Sequence, residues 1–347
     1  MSERSKFRQS NIELLRMLAM FFVLLVHADY YSLGMPSVEA TQTNLIDSIL
    51  RFFFDALSII CVNVFVLISG WFGIRPSLRG ISNFIFQCLF FLIGTYVVTL
   101  LIGTSSLSLE GIAGCFAATK LDWFIKAYLL LYILSPVLNA FVESADRKVF
   151  RNVLIAYFAF VCTYGWIGAA KFMMGGYTTL FLLGLYLLAR YMRIYQPRFT
   201  KFKPSTDLTI YIVVSSFVTV ACITPPLLFG KNIQPWWQYI APTAIVGAIY
   251  LLLTFSKIKI QSKFVNWCGA SCFAVFLLHT SPCIFGHFKT LFEYLYLTYT
   301  TVVFWSITFL ILIGIFSLAI LIDQVRLFLW NKLWPIIDRN NYDKYSK

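Results

Sequence analysis

Charge is scarce in this sequence. Asp, Glu, Lys and Arg together make up 12% of the 347 residues, whereas 59% are hydrophobic and 18% are aromatic. A typical soluble domain carries about 25% charged residues. The composition therefore excludes a soluble domain and predicts an integral membrane protein.

Other patterns are missing as well. No internal repeat or matching pair of broken helices is visible, which argues against the common transporter architectures. The eight cysteines have no metal-knuckle spacing, so we expect neither a metal site nor disulfides. No convincing small-residue cleavage site follows the first apolar stretch, which we therefore expect to remain as an anchor rather than leave as a signal peptide.

Apolar runs long enough to cross a bilayer recur to the end of the chain. We predict an all-α integral membrane protein with about ten transmembrane helices. A single domain fills 1–347, with an N-terminal segment at 1–11, a helix bundle at 12–322 and a tail at 323–347. The predicted spans are 12–33, 46–73, 81–103, 121–141, 149–169, 176–192, 208–229, 238–256, 266–285 and 300–322.

Lys and Arg are distributed unevenly between the connections. If the N-terminus is cytoplasmic, the connections on that side hold 21 of the 28 basic residues and the opposite side holds 4. This excess follows the positive-inside rule and predicts that both termini are cytoplasmic. The net charge of +13 is then explained by topology, and we expect no nucleic-acid partner.

The first predicted span contains two ionisable residues, Arg16 and His27, which are expensive in hydrocarbon and often mark a site. Their separation of eleven residues is about three helical turns, so both side chains leave the same face about 16 Å apart. Glu13 precedes Arg16 by three residues on nearly the same face. A purely structural Glu13–Arg16 ion pair is the alternative interpretation.

Further ionisable residues are predicted at the depth of the first-span histidine. They are Arg51 and Asp55 in the second span, Asp122 and Lys126 in the fourth, and His279 in the ninth. Each pair, four residues apart, can also be a simple intrahelical ion pair, and His279 can simply hydrogen-bond a backbone group. The convergence of the whole set nevertheless favours a polar cavity that opens outward.

Two arginines, Arg75 and Arg79, follow the second span at its cytoplasmic edge. They either set topology or bind an anion, because a guanidinium group makes two hydrogen bonds to phosphate at once. A neutral histidine can remove a proton from a hydroxyl. The combination fits a group passed from a cytosolic phosphate-bearing donor to an external hydroxyl.

Five stretches, in order, resemble the membrane acyltransferase 3 family. The first is the Arg-x10-His helix, Arg16 to His27, preceded by Asn-Ile-Glu-Leu-Leu from Asn11. The others are 62–73 (VNVFVLISGWFG), 123–139 (WFIKAYLLLYILSPVLN), 180–188 (LFLLGLYLL) and 271–282 (SCFAVFLLHTSP). In the last stretch, Phe276 stands where the family commonly has tyrosine.

The resemblance implies a ten-helix protein of the cytoplasmic (inner) membrane. It would move an acyl group, usually acetyl from acetyl-CoA, to a hydroxyl of a cell-envelope glycan or its lipid-linked precursor. Membrane lipids would surround the protein as further partners. His27 would be the catalytic base, Arg16 would assist donor binding or orient the site, and His279 holds the family's late histidine position. Arg75 and Arg79 are donor-binding candidates, although the family's usual spacing there is not reproduced.

Two other functions compete with this one. A transporter or flippase for lipid-linked saccharide would use the same polar groups to line a substrate path. A purely structural polytopic partner is the third alternative, and the five ordered stretches argue against it. The residues leave open the acceptor sugar, the length of the acyl chain, and direct transfer as opposed to a covalent intermediate.

Overall fold

The computed structural model describes residues 9–117, 122–233 and 235–345. Residues 1–8, 121 and 346–347, which belong to the predicted N-terminal segment, fourth span and tail, lie outside the described residues. Helices make up 82% of the described residues and no strand occurs among them, so the all-α prediction is confirmed.

The helices, in chain order, are α1 (Ser10–Ala28), α2 (Tyr30–Leu33), α3 (Val38–Thr43), α4 (Leu45–Ser58), α5 (Cys61–Phe72), α6 (Leu78–Leu101), α7 (Leu109–Cys115), α8 (Trp123–Ser144), α9 (Arg147–Phe160), α10 (Thr179–Tyr195), α11 (Pro204–Phe229), α12 (Pro242–Lys257), α13 (Lys263–Ser271), α14 (Phe273–His279), α15 (Pro282–Thr298) and α16 (Thr301–Tyr345). A π-helical turn, Val161–Ile167, extends α9. Polar residues cap several N-termini: the Asp146 carboxylate, for example, accepts hydrogen bonds from the amides of Lys148 and Val149 at the start of α9.

Helix α1 lies at the centre of the bundle, in contact with α4, α5 and α12 to α16. In its most apolar stretch 61% of the residues are buried inside the protein, and in that of α4–α5 72% are buried. For α6, α8, α9, α11 and α16 the corresponding share is only 22% to 39%. These five helices therefore form an outer layer with one face toward lipid, and the first helix is held by protein on most sides.

The number of membrane spans differs from the prediction. Among the described residues, seven helices are long and apolar enough to cross a bilayer, and eight spans result if the bent pair α13–α14 with α15 counts as one. The count of ten is therefore not confirmed. Two predicted spans correspond to α10 and α12, which have 17 and 16 residues. At about 1.5 Å per residue they reach about 24–26 Å, less than a full hydrocarbon core of about 30 Å.

The predicted ninth span, 266–285, is broken rather than continuous. The chain bends by 83° between α14 and α15. Pro282 begins α15, and proline both lacks an amide hydrogen and disfavours a helical conformation in the residue before it. The break leaves His279 as the last residue of α14.

The last helix continues beyond residue 322, where the sequence predicts the start of a polar tail. Asp323 and Arg326 form a buried ion pair (2.8 Å) on α16, with neighbouring hydrogen bonds from Gln87 to Asp323 and from Arg326 to Asn83. In the sequence, these two charges directly after the apolar run suggest that the membrane span ends at 322. Because these charges are satisfied against α6, the helix runs through them.

Candidate active site

A cavity of about 620 Å³ opens beside the second half of α1. Its walls come from α1, α2, α5, α8, α14 and α15, and from the segments that precede α10 and α12. The lining residues are Met20, Val23, Val26, His27, Tyr31, Cys61, Val62, Phe65, Trp123, Phe124, Lys126, Met174, Tyr177, Tyr239, Phe273, Phe276, Thr280 and Phe285. The wall is thus mostly apolar, with a small number of polar groups, as is usual for ligand sites.

His27 is hydrogen-bonded to the second histidine of the bundle. Its Nδ1 lies 2.8 Å from Nε2 of His279, and Nδ1 of His279 lies 2.5 Å from the carbonyl oxygen of Val275. The break after α14 places His279 at the helix end, where its ring reaches across to α1. The structure therefore brings together two site residues that are 252 positions apart in the sequence.

These contacts define the tautomers of both rings. A carbonyl oxygen only accepts, so Nδ1 of His279 carries the hydrogen and donates it to Val275. In a neutral imidazole the other nitrogen is then an acceptor, so His27 donates its Nδ1 hydrogen to Nε2 of His279. The remaining nitrogen of His27, Nε2, keeps its lone pair. His27 is thereby prepared to accept a proton from a molecule in the cavity.

Aromatic side chains with polar tips line one end of the cavity. Trp123 lies 4.7 Å from Tyr177 and 5.9 Å from Tyr239 between ring centroids, and the two tyrosine rings are 4.8 Å apart. The hydroxyls of Tyr31 and Tyr177 are hydrogen-bonded to each other. The Tyr31 ring packs edge-on against His27 at 4.9 Å. This end of the cavity offers ring faces and hydroxyl groups next to the base.

Arg16 lies one helical turn before Met20, the first lining residue of α1. Its guanidinium donates to the Glu13 carboxylate at 2.5 Å, and its side chain is 31% exposed, so it is half-buried rather than fully buried. The predicted Glu13–Arg16 pair is therefore present. Nearby, the hydroxyls of Ser69 and Tyr128 are 3.0 Å apart.

Arg51 and Asp55 do not line this cavity and do not form the intrahelical pair considered above. The Arg51 guanidinium instead contacts both ends of α2. Its Nε donates to Asp29, between α1 and α2, at 2.7 Å, and its Nη2 donates to the carbonyl of Gly34, directly after α2, at 2.5 Å. Asp55 is buried, and neither carboxylate oxygen has a hydrogen-bond partner among the described residues. Arg51 thus holds the corner that follows His27.

The remaining candidates are Asp122 and Lys126, four residues apart at the start of α8, and the two arginines after α5. Lys126 is on the cavity wall, whereas Asp122 is buried at the residue before α8. Arg75 is exposed in the turn after α5, and Arg79 places its guanidinium 5.8 Å from the centre of the Trp334 ring of α16. Both arginines are available at the protein surface.

Sequence reasoning missed four residues around the base: Asp29, Tyr31, Tyr177 and Tyr239. Asp29 carried a signal, because an acidic residue within a predicted span requires a partner. The three tyrosines carried none, since tyrosine is common at membrane interfaces and 19 occur in the chain. Only folding brings them to one cavity.

Comparison with models of known protein families shows a match over most of the chain. The family model described as an acyltransferase domain, that of the acyltransferase 3 family, matches residues 9–323. This range contains α1, the hydrogen-bonded pair His27 and His279, and all the residues listed above as lining the cavity. No curated protein and no solved structure matches the chain.

Proposed function

The chain belongs to the acyltransferase 3 family and is a multi-pass membrane acyltransferase; we propose that it transfers acetyl from cytosolic acetyl-CoA to a hydroxyl of a cell-surface polysaccharide or its lipid-linked precursor. In this proposal it works in the cytoplasmic membrane, with both termini in the cytoplasm. The observation that carries the proposal is the hydrogen-bonded series from His27 through His279 to the Val275 carbonyl, on the wall of a cavity.

In the proposed reaction, Nε2 of His27 takes the proton of the acceptor hydroxyl. At the same time the hydroxyl oxygen forms a bond to the carbonyl carbon of the thioester. The carbon–sulfur bond then breaks, and the sulfur leaves with the proton that His27 returns to it. The products are an O-acetyl ester and the free thiol of CoA. During the step, His27 is an imidazolium that still donates to His279, which stabilises the charge and fixes the ring.

We assign the donor to the Arg16 end of the cavity. Arg16 lies on the same face of α1 as Met20, Val23 and His27, and a guanidinium suits the phosphates of CoA. Arg75 and Arg79 are candidates for the first capture of the donor at the surface. Lys126, a cationic residue of the wall, is our candidate for stabilising the oxyanion of the tetrahedral intermediate.

We assign the acceptor to the aromatic end. A sugar presents apolar C–H faces and a ring of hydroxyls, and an aromatic wall with phenol groups matches both features. Trp123, Tyr177 and Tyr239 supply the ring faces, and Tyr31 adds a hydroxyl beside His27. The mainly apolar wall elsewhere suits an acyl chain with its thioester.

The experiment measures acetyl release from purified surface glycan in cells that carry wild type, His27→Ala, Arg16→Ala or His287→Ala at matched membrane levels. His287 is the matched control, because it is an exposed histidine outside the cavity lining. Loss of a general base costs about 10²–10⁴-fold in rate. We therefore expect acetylation to disappear with His27→Ala, to fall with Arg16→Ala and to persist with His287→Ala.

Two outcomes contradict the proposal. If His27→Ala acetylates as well as wild type, His27 is not the base. If cells without the protein acetylate the glycan normally but carry less of it at the surface, the protein is a transporter of lipid-linked saccharide.

A further inference from the structure

A second cavity, of about 460 Å³, lies on the lipid-facing surface of the bundle, away from His27. It is a groove between α9, α10 and α12, closed at one end by the segment between α10 and α11. The lining residues are Arg151, Leu154, Ile155, Phe158, Cys162, Leu188, Tyr191, Pro197, Phe199, Pro242, Ile245, Val246 and Ile249. Nearly all of this lining is apolar, and one residue of it, Arg151, is charged.

The groove has the length of a single bilayer leaflet. Its α9 wall runs from Arg151 to Cys162, which is about 16 Å at 1.5 Å per residue. Half of a typical hydrocarbon core is about 15 Å. Helix α9 belongs to the outer layer, with only 22% of its most apolar stretch buried, so the groove is accessible from the lipid. A hydrocarbon chain from one leaflet therefore matches the groove in polarity and in length.

Basic residues outnumber acidic ones at the Arg151 end, where the Asp146 carboxylate is engaged as the N-cap of α9. Arg147 and Lys148 precede Arg151 on α9, and Arg198 lies between the lining residues Pro197 and Phe199. Arg151 is exposed and makes a long hydrogen bond to Asn152 (3.4 Å). No carboxylate among the described residues forms an ion pair with it. The apolar groove thus ends at a guanidinium that is available to an anion.

We propose that the groove binds one acyl chain of an anionic phospholipid, with the lipid phosphate at Arg151. An anionic headgroup complements the charge at this end, whereas a zwitterionic headgroup brings a cation with it. One basic residue near the membrane surface favours an anionic lipid by about fivefold. The proposal does not depend on the acyl-transfer reaction, because no described residue lines both the groove and the candidate active site.

The test is native mass spectrometry of the purified full-length protein in detergent, with phosphatidylglycerol and phosphatidylcholine of identical acyl chains added in turn. For wild type we expect a bound phosphatidylglycerol and about fivefold weaker phosphatidylcholine binding. Arg151→Gln should abolish this preference. Lys171→Gln, which removes one exposed positive charge beyond the other end of α9, is the control and should keep it.

A second variant fills the groove. Val246 is 36% exposed on its wall, so Val246→Trp adds bulk without entering the core, and it should reduce binding of both lipids. Unchanged elution and melting temperature confirm that the variants are folded. Equal binding of the two lipids by wild type, retained preference in Arg151→Gln, or full lipid binding in Val246→Trp would each overturn the proposal. Displacement of phosphatidylglycerol by an equimolar polyprenyl phosphate would assign the groove to that lipid instead.

Discussion

A neutral histidine has two tautomers, and only the one with its hydrogen on Nδ1 leaves Nε2 of His27 able to accept a proton. His279 selects this tautomer because its own hydrogen is committed to the Val275 carbonyl. His279 is therefore a positioning residue, and His27 is the residue that contacts the substrate in our proposal.

At the residue scale we predict that His279→Ala lowers kcat far more than it changes the KM for either substrate. The tautomer of His27 is no longer selected, and a base in the wrong tautomer can cost up to about 10⁴-fold. His279→Gln supplies an acceptor oxygen and should recover part of the rate. Steady-state kinetics of the purified variants is the measurement. Equal rates for the alanine and glutamine variants would show that His279 acts through packing alone.

The sequence suggested part of this arrangement. Arg16, His27 and His279 are conspicuous because ionisable residues are rare in apolar spans, and helical periodicity relates Arg16 to His27. Arg51 was misleading for the same reason. Four-residue spacing suggested Asp55 as its partner, but the partner is Asp29, which the chain brings close by turning after α1. Spacing within one helix gives no information on contacts between helices.

At the scale of helices, Arg51 of α4 is hydrogen-bonded to both ends of α2, at Asp29 and Gly34. We predict that Arg51→Met strongly destabilises the protein, by about 3–5 kcal/mol, because it leaves the Asp29 carboxylate buried without its cation. Asp55→Asn, which replaces a buried carboxyl with a neutral group of the same shape, should change stability much less. Thermal unfolding of both purified variants provides the comparison, and similar melting temperatures would contradict it.

The crossing of α1 and α13 depends on a glycine. A Cβ at Gly269 would lie 2.6 Å from Oε2 and 2.7 Å from Cβ of Glu13, closer than atoms tolerate. We predict that Gly269→Ala separates the two helices and costs about 1–3 kcal/mol. Gly286→Ala is the matched control, because nothing lies within 4 Å of a Cβ there. Because alanine favours a helix more than glycine does, Gly286→Ala should not lower the melting temperature, and an equal fall in both variants would contradict the role of the Gly269 contact.

At the scale of the whole molecule, the distribution of Lys and Arg gives a definite topology to test. Single cysteines at Thr104 and Lys259, both exposed, are predicted on opposite sides of the membrane. In intact cells a membrane-impermeant maleimide should label Thr104→Cys, and it should label Lys259→Cys only after permeabilisation. The reverse pattern would invert the chain and move the His27 end of the cavity to the cytosol.

The overall class of the protein followed from composition, but the number of crossings did not. Hydropathy measures how apolar a stretch is, and it is insensitive to a bend such as the one at Pro282. It also ends a span at the first charges. In α16, however, Asp323 and Arg326 neutralise each other in the interior, and the helix continues. Pairing between charges is a property of the folded chain, which a sliding window does not evaluate.

The Val275 carbonyl determines which substitutions position 275 can tolerate during evolution. Every amino acid carries a backbone carbonyl, so a substitution at position 275 cannot remove the group that directs the hydrogen of His279. The tautomers of His27 and His279 are therefore preserved as long as the helix from 275 to 279 and the two histidines are preserved. Side-chain drift at position 275 is limited by packing alone, and the chemistry of the base is insulated from it.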